Sequence, residues 1–571
     1  MPEKKWEVRP ALTKLDFDHF PEINPIVLQL LFNRGVDSQQ KIDEFLNPDY
    51  GENLHDPFLF SEMTKAVERI LLAVENKEKI VVYGDYDADG VTACALMVEL
   101  LKNLGNEADI YIPFRETEGY GLNEEATTEL ARKGTKLLIT VDCGISNKKE
   151  IDLLNQKGVD VIVTDHHHEP LEIPTALAVI NPNLEKEKYP FKGLTGVGVA
   201  FKIAQAIIQK HKDFKVNQLE EGFEKWLLDL VAIGTIADLQ PILGENRVLV
   251  KYGLIVLQKT KRLGLLKLIE LMSSNLTQVD ERVVGWQIAP RLNAAGRLNH
   301  ASSAYQLLII DDLKEAERLA KELNQTNIER QQLTEKINGE AKTLIGEVKE
   351  QKIIIVVGQN WPTGIVGLVA GRITDEFHRP SLVISKYNGE IIGSGRSIPE
   401  FNIIEAIEKA NKYLSRYGGH AQACGFTIKN EESLEEFIAK MNELAKAELT
   451  GKDITPLLKV DLTIKLEDVN WELFDELEKF IPYGEGNPKP IFLASDLTVV
   501  EAQTVGQDRK HMRLMVKHTT PIIRKTIGFC FGDWCAKLKT GDKVDMVFEV
   551  DVNEWNGNRE LQLKIVDLKI H

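Results

Sequence analysis

The sequence predicts a multidomain α/β protein: a parallel-sheet domain, a long linker helix, a second α/β domain and a small C-terminal β-barrel. Three observations carry this. Between about 60 and 165, apolar strand-like runs alternate with helix-like segments, as in a parallel sheet covered on both faces. Residues 312–350 contain no proline and no glycine before Gly339, and are rich in Glu, Lys, Gln and Ala. From about 455 onward the segments are short and β-rich, with turn signals such as Glu554 to Asn558. At 571 residues the chain exceeds one core, and roughly 150 residues per domain gives about three to five units.

Taken in order, residues 1–55 mix short apolar pieces with Pro10, Pro21, Pro25 and Pro48, which predicts a small helical arm whose role is not legible. The first α/β domain, 56–311, opens with a helix at 61–76, a strand at Lys79–Tyr83, a helix at 91–104 and a strand at Ala108–Ile112. A helix at 123–133, the strand Lys136–Val141, a helix at 147–157 and the strand Val159–Thr164 follow. Residues 312–350 read as one polar helix bridging two domains. The strand Lys352–Val357 opens the second α/β domain, 351–450, and 451–571 forms the barrel.

Composition is globular, with 43% hydrophobic and 27% charged residues, and no apolar run approaches a bilayer span. The first residues lack the apolar core of a signal peptide, so a cytoplasmic location without membrane attachment is expected. Five scattered cysteines, Cys94, Cys143, Cys424, Cys530 and Cys535, include no CxxC pair, which argues for reduced thiols over disulfides or a thiolate zinc site. The net charge of −17 opposes a nucleic-acid partner. It does not decide the matter, because a site for divalent cations concentrates carboxylates while a groove stays locally basic.

The chemistry concentrates where apolar strands end. Val81 and Val82 run through Tyr83 and Gly84 into Asp85, Asp87 and Asp89, whose alternate spacing in an extended segment points three carboxylates one way. Such a group is costly without a cation; the plain alternative is an acidic turn with Asp89 or Thr92 capping the next helix. Asp142 follows the apolar run 137–141, and Asp165, His166, His167 and His168 follow the run 161–164. Acids and imidazoles at the carboxyl ends of several strands lie where open α/β sheets place their sites. Asp238 ends a further apolar run, 230–237. Hard oxygen ligands with imidazole suit Mn2+ first and Mg2+ second, with zinc also compatible on ligand type, and the surplus of carboxylates favours two divalent cations.

These residues resemble the DHH phosphoesterases: Asp165-His166-His167 matches the name-giving triplet, and GDYDADG at 84–90 the first motif. The resemblance puts Asp85, Asp87, Asp142, His166 and Asp238 on metal-ligand positions and His167 beside the metals and scissile phosphate. Relatives have a histidine where this chain has Val81, so Asp89 either substitutes as a ligand or supports the loop. The stretches 112–122, 289–298, 364–367, 393–397, 418–421 and 482–488 narrow the resemblance to the RecJ exonucleases over about 55–571. It implies a DHH domain, a DHH-associated domain and an oligonucleotide-binding (OB-fold) barrel. It also implies that Arg115, Arg297, Ser394 and Arg396 hold the 5′ end and nearby phosphates, with His420 in the same DNA-binding set.

The arginines have a physical reason as well, since each is expected in a Gly-rich or turn-rich loop rather than on a polar helix face, and a guanidinium fork suits phosphate. Basic alternation at Arg509, Lys510, His511, Arg513, Lys517, His518, Arg524 and Lys525 fits either a solvated face or a strand-tracking surface, and most of Phe529, Phe531 and Trp534 fit a barrel core. The implied activity is 5′ to 3′ hydrolysis of single-stranded DNA to 5′ mononucleotides in repair and recombination, beside a helicase and a single-strand-binding protein, by a monomer. The rivals are a DHH phosphodiesterase for short oligonucleotides or cyclic dinucleotides, which would need neither linker helix nor barrel, and a non-catalytic replication scaffold, which would not need an intact ligand set.

Overall fold

The computed structural model describes residues 4–348, 351–555 and 557–571, so the last two residues expected for the linker helix and Asn556 of the expected turn lie outside it. Two compact units are present. The first comprises Leu54–Gln240 and Leu249–Pro456; the second comprises Lys4–Asn53, Pro241–Val248 and Leu457–His571.

In the first unit, a five-stranded parallel sheet runs in the order Asp109–Tyr111, Ile80–Gly84, Leu137–Val141, Asp160–Thr164, Ala178–Ile180. Ile80–Gly84 and Leu137–Val141 are buried along their whole length, the mark of strands with apolar neighbours on both faces. Val81, Tyr83, Leu138, Val161 and Val163 pack on helices Glu124–Arg132 and Lys148–Gln156. Helices Ala88–Leu104 and Gly196–Lys210 contact the same strands. The register pairs Gly84 with Val141 and Val141 with Thr164, so three strands end level and their next residues, Asp85, Asp142 and Asp165, leave side by side.

The linker is a single helix, Leu313–Ile345, started by Asp312, whose carboxylate accepts the Glu315 N–H at 2.8 Å. It is less polar in its contacts than its composition suggests. Ala316, Leu319, Ala320 and Leu323 are buried near one end and Ile337 and Ala341 near the other. The helix packs on Leu263–Leu271 and Ala289–Leu298 and also on Thr363–Phe377, so its narrow apolar stripe is used up by neighbours within one unit. The second sheet, in the order Leu414–His420, Ala423–Ile428, Glu390–Arg396, Ser381–Tyr387, Ile354–Gln359, is antiparallel except for its last pair.

In the second unit, Phe492–Val505, His511–Lys517, Ile523–Gly528, Asn558–Ile570 and Lys543–Trp555 pair in sequence, and the last pairs back with the first to close a five-stranded barrel. The N-terminal arm belongs to this barrel. Strand Lys5–Val8 runs parallel to Leu457–Val460, and Val27, Leu28, Leu30 and Leu31 share one core with Phe492, Leu514 and Phe548. The stretch 482–488 serves packing here: Asn487 accepts from Arg34 at 2.7 Å, and the Pro482 carbonyl accepts from buried Arg247 at 3.4 Å. Phe531 is core, whereas Phe529 is exposed. Arg524 donates to the Leu466 carbonyl and Lys525 pairs with Glu560, so part of the basic alternation is spent internally. Among the described residues, no helix is long and apolar enough to cross a membrane.

Candidate active site

The first acidic loop folds differently from an extended run. The strand stops at Gly84 and a helix starts at Ala88, capped by Asp87, whose Oδ1 accepts the N–H groups of Asp89 at 2.9 Å and Gly90 at 3.1 Å. The cap is therefore neither Asp89 nor Thr92, and the three carboxylates do not share one extended face. Asp89 lies in the first helical turn, fully buried, and its two oxygens accept from the N–H groups of Gly196 at 2.7 Å and Val197 at 2.9 Å. It thus ties down the start of helix Gly196–Lys210 while standing 3.9 Å from the His166 ring.

Around it the strand-end residues converge. His166 Nε2 lies 3.1 Å from Asp142 Oδ1 and 3.8 Å from Asp238 Oδ2. Asp238 comes from the C-terminus of helix Leu228–Ala237, so its apolar run is helical. The potential ligand atoms of Asp85, Asp87 and Asp142 lie within 4.8 Å of one another, as do those of Asp142, His166 and His167, and those of Asp89, His166 and Asp238. Asp142 and His166 belong to two groups each, which is how a pair of neighbouring cations would share ligands.

The electrostatics ask for positive charge. Burial pushes Asp85 and Asp142 well above the usual carboxylate range, and the neighbouring aspartates push the same way. Burial, then the charge of Asp87, raises Asp238 to about 6. The Oδ1 atoms of Asp85 and Asp142 are buried with no hydrogen-bond partner. Orphaned oxygens in such a cluster are what divalent cations would satisfy, so the residues fit a metal centre. His166 is held down at about 4 by burial and by the charge of His167, which keeps its ring in the neutral, ligating form.

The surroundings hold residues that were not among the expected ligands or DNA-binding residues. Fully buried Asp165 is an orienting group: Oδ2 accepts from Ile145 N–H at 3.0 Å, and Oδ1 accepts the His166 N–H at 2.7 Å and faces His167 Nδ1 at 2.8 Å. Burial works to lower His167, yet the hydrogen bond and charge of Asp165 outweigh it and raise it to about 9. Tyr120 Oη also lies 3.0 Å from His167 Nδ1 and donates to the Asp142 carbonyl at 3.1 Å. Asp142 sits at φ 61°, and a Cβ on Gly196 would come within 2.3 Å of its Cβ. Asn293 accepts the Ala88 N–H at 2.8 Å, which explains its place in the 289–298 motif. The signal for Asn293 was that motif; Gly196 had none, because the residue it must not strike is distant in sequence.

Beside the acids lies a basic wall. Arg115, in a turn, stacks over Tyr86 at 5.0 Å. Arg297 and Arg396 are not in loops: one is in the last turn of helix Ala289–Leu298 and the other ends strand Glu390–Arg396. Arg297 donates to the Gly364 carbonyl at 3.3 Å, and Arg396 donates to Ser394 Oγ at 3.2 Å and the Gly395 carbonyl at 2.8 Å. Burial, then the charges of Arg115, Arg330 and Arg396, lowers Arg297 to about 10. Among the described residues, Arg115, Arg297 and Arg396 form no ion pair with a carboxylate. His420 places its ring 5.7 Å from that of His168, so the second sheet reaches the metal-side loop.

The comparisons agree with this picture. Residues 79–235 match the DHH family N-terminal domain, 350–447 the DHHA1 domain and 460–567 the RecJ OB domain. The chain is 38% identical to the single-stranded-DNA-specific exonuclease RecJ of Bacillus subtilis, across 99% of its own length and 71% of that protein. It is 31% identical to the RecJ of Haemophilus influenzae, across 95% and 96% of the two chains. The crystal structure of RecJ in complex with Mn2+ from Thermus thermophilus superposes with a TM-score of 0.84 at 30% identity, covering 99% of this chain and 79% of that one.

Proposed function

The chain belongs to the RecJ family of single-stranded-DNA-specific exonucleases, and from that premise we propose that it shortens single-stranded DNA from the 5′ end, releasing 5′ mononucleotides, at the cluster of Asp85, Asp87, Asp142, His166 and Asp238. The observation that carries the reading is the pairing of buried, unbonded carboxylate oxygens with an adjoining set of arginines that, among the described residues, form no direct ion pair with a carboxylate. Acids that want cations and cations that want anions, side by side, describe a phosphodiester between metal ions and a basic wall.

In this reading the five ligands hold two divalent cations, Mn2+ or Mg2+, the ions found in RecJ structures from Thermus thermophilus. When bound, the cations neutralise the phosphodiester and acidify the attacking water. Asp89 supports the loop and lends a carboxylate to the cluster's rim. Asp165 fixes the His167 ring and its proton, so that the imidazole presents Nε2 as a charged donor to the scissile phosphate. Arg115, Arg297, Ser394 and Arg396, with His420, seat the 5′ end and the adjoining phosphates. The division of labour we infer is a catalytic domain over 56–311, a linker over 312–350, a substrate-binding domain over 351–450 and a barrel over 451–571 that holds the strand. A helicase and a single-strand-binding protein as partners, a cytoplasmic location and a monomeric state complete the proposal.

The experiment compares long single strands, their duplexes and dinucleotides in Mn2+, Mg2+ and EDTA. Metal-dependent loss of the long single strand, with the duplex spared, is expected. Survival of long strands while dinucleotides are cut would leave the metal centre standing and overturn the substrate.

A further inference from the structure

Helix Leu313–Ile345 carries a half-buried cation, Arg330, that has no partner among the described residues. Arg330 is half-buried, its Nε is shut off from solvent and accepted by nothing, and among the described residues its guanidinium makes neither a hydrogen bond nor an ion pair. Its charged neighbours do have partners: Arg372 pairs with Glu335 at 2.6 Å, and Arg291 donates to Asn324 at 3.0 Å and to the Gln287 carbonyl at 2.8 Å. Burial, followed by the charges of Arg372 and Arg291, disfavours the cation at Arg330, and no carboxylate offsets them. One turn back on the same face, Asn327 is buried with an unbonded Oδ1. A half-buried charge facing only like charges is costly and calls for an absent anion.

The position says which anion. Arg330 is among the charges that act on Arg297, which in turn is acted on by Arg115 and Arg396. The charges that act on Arg330 come from Arg291 of helix Ala289–Leu298 and Arg372 of helix Thr363–Phe377, both of which pack on the linker. Resting on the exonuclease reading above, we propose that Arg330 is a further DNA-binding residue, which takes a backbone phosphate of the single strand beyond those seated by Arg115, Arg297 and Arg396. Phosphate supplies the missing anion and completes the guanidinium's hydrogen bonds. The linker helix thereby becomes part of the track that holds the strand, in addition to joining two domains.

The test is equilibrium binding of a labelled single-stranded oligonucleotide to the full chain in EDTA across a salt series, for wild type, Arg330→Gln and Arg330→Lys. Each phosphate contact on a single strand contributes about 0.7 to the slope of log affinity against log salt. Arg330→Gln is expected to be shallower by about that amount and to raise KM about tenfold with kcat unchanged. Arg330→Lys keeps the charge and is expected to restore the slope even where it binds more weakly. A wild-type slope in Arg330→Gln overturns the inference, whether or not the variant melts earlier, because a packing role lowers Tm without moving the slope. Loss of folding in Arg330→Gln leaves Arg330→Lys to decide: a slope below wild type in the folded lysine variant overturns it. A wild type that binds no single strand brings down the exonuclease reading itself.

Discussion

At the scale of single residues, Asp142 is the position on which the cluster most depends, since it belongs to two of the three ligand groups. Its Oδ1 faces His166 and otherwise has no partner, so Asp142→Ala is expected to abolish hydrolysis while leaving single-strand binding in EDTA within about twofold of wild type. Asp165 touches no candidate ligand atom except through the histidines it orients. Asp165→Asn is expected to lower metal affinity or turnover by about 10–100-fold, measured by Mn2+ titration of rate, with little loss of DNA affinity. Equal losses in both quantities would make Asp165 a folding residue instead. The acids at the strand ends were legible because level strands turn a linear pattern into a spatial cluster. Gly196 was not, since its contact with Asp142 exists only once helix Gly196–Lys210 is folded against the sheet; Tyr120 lay in the 112–122 stretch, but its bond to the Asp142 carbonyl was not legible there.

At the scale of elements, the linker helix and its neighbours decide whether the acidic and basic halves meet. Gly364 lies in the first turn of helix Thr363–Phe377 with no space for a Cβ, which would lie 2.2 Å from the Arg297 carbonyl oxygen. Gly364→Ala is expected to spread this contact and raise KM for single strands several-fold, read from initial rates at fixed Mn2+. Leu323→Ala, which hollows out a fully buried site on the linker, should cost about 2–5 kcal/mol in denaturant unfolding. A polar composition disguised this helix: a thin stripe of Ala and Leu is enough when helices on both sides supply the rest of the core. The loop 85–89 misled for a related reason. Alternation of Asp looks extended, but a carboxylate at Asp87 is also the best available helix cap, and the cap won.

At the scale of the whole molecule, the alternation of strands and helices and the late β-rich segments made the domain classes readable, whereas the N-terminal arm did not disclose where it packs. Its apolar residues are short of a core of their own and are completed by barrel residues more than four hundred positions later. Deleting 457–571 alone is therefore expected to leave Val27, Leu28, Leu30 and Leu31 uncovered and the product aggregated, as judged by light scattering, while deleting the arm as well should relieve it. The acidic net charge of −17 misdirects in the same way, because it averages over a local site where arginines gather. The central claim is that this acidic cluster removes nucleotides from the 5′ end of a single strand. The measurement that meets it most directly is a time course on one oligonucleotide labelled separately at its 5′ and 3′ ends, with wild type and Asp142→Ala in Mn2+. For wild type the 5′ label is expected at once as mononucleotide while the 3′ label moves down a ladder, and for Asp142→Ala neither change is expected. Immediate release of the 3′ label, or unaltered turnover by Asp142→Ala, would contradict the claim.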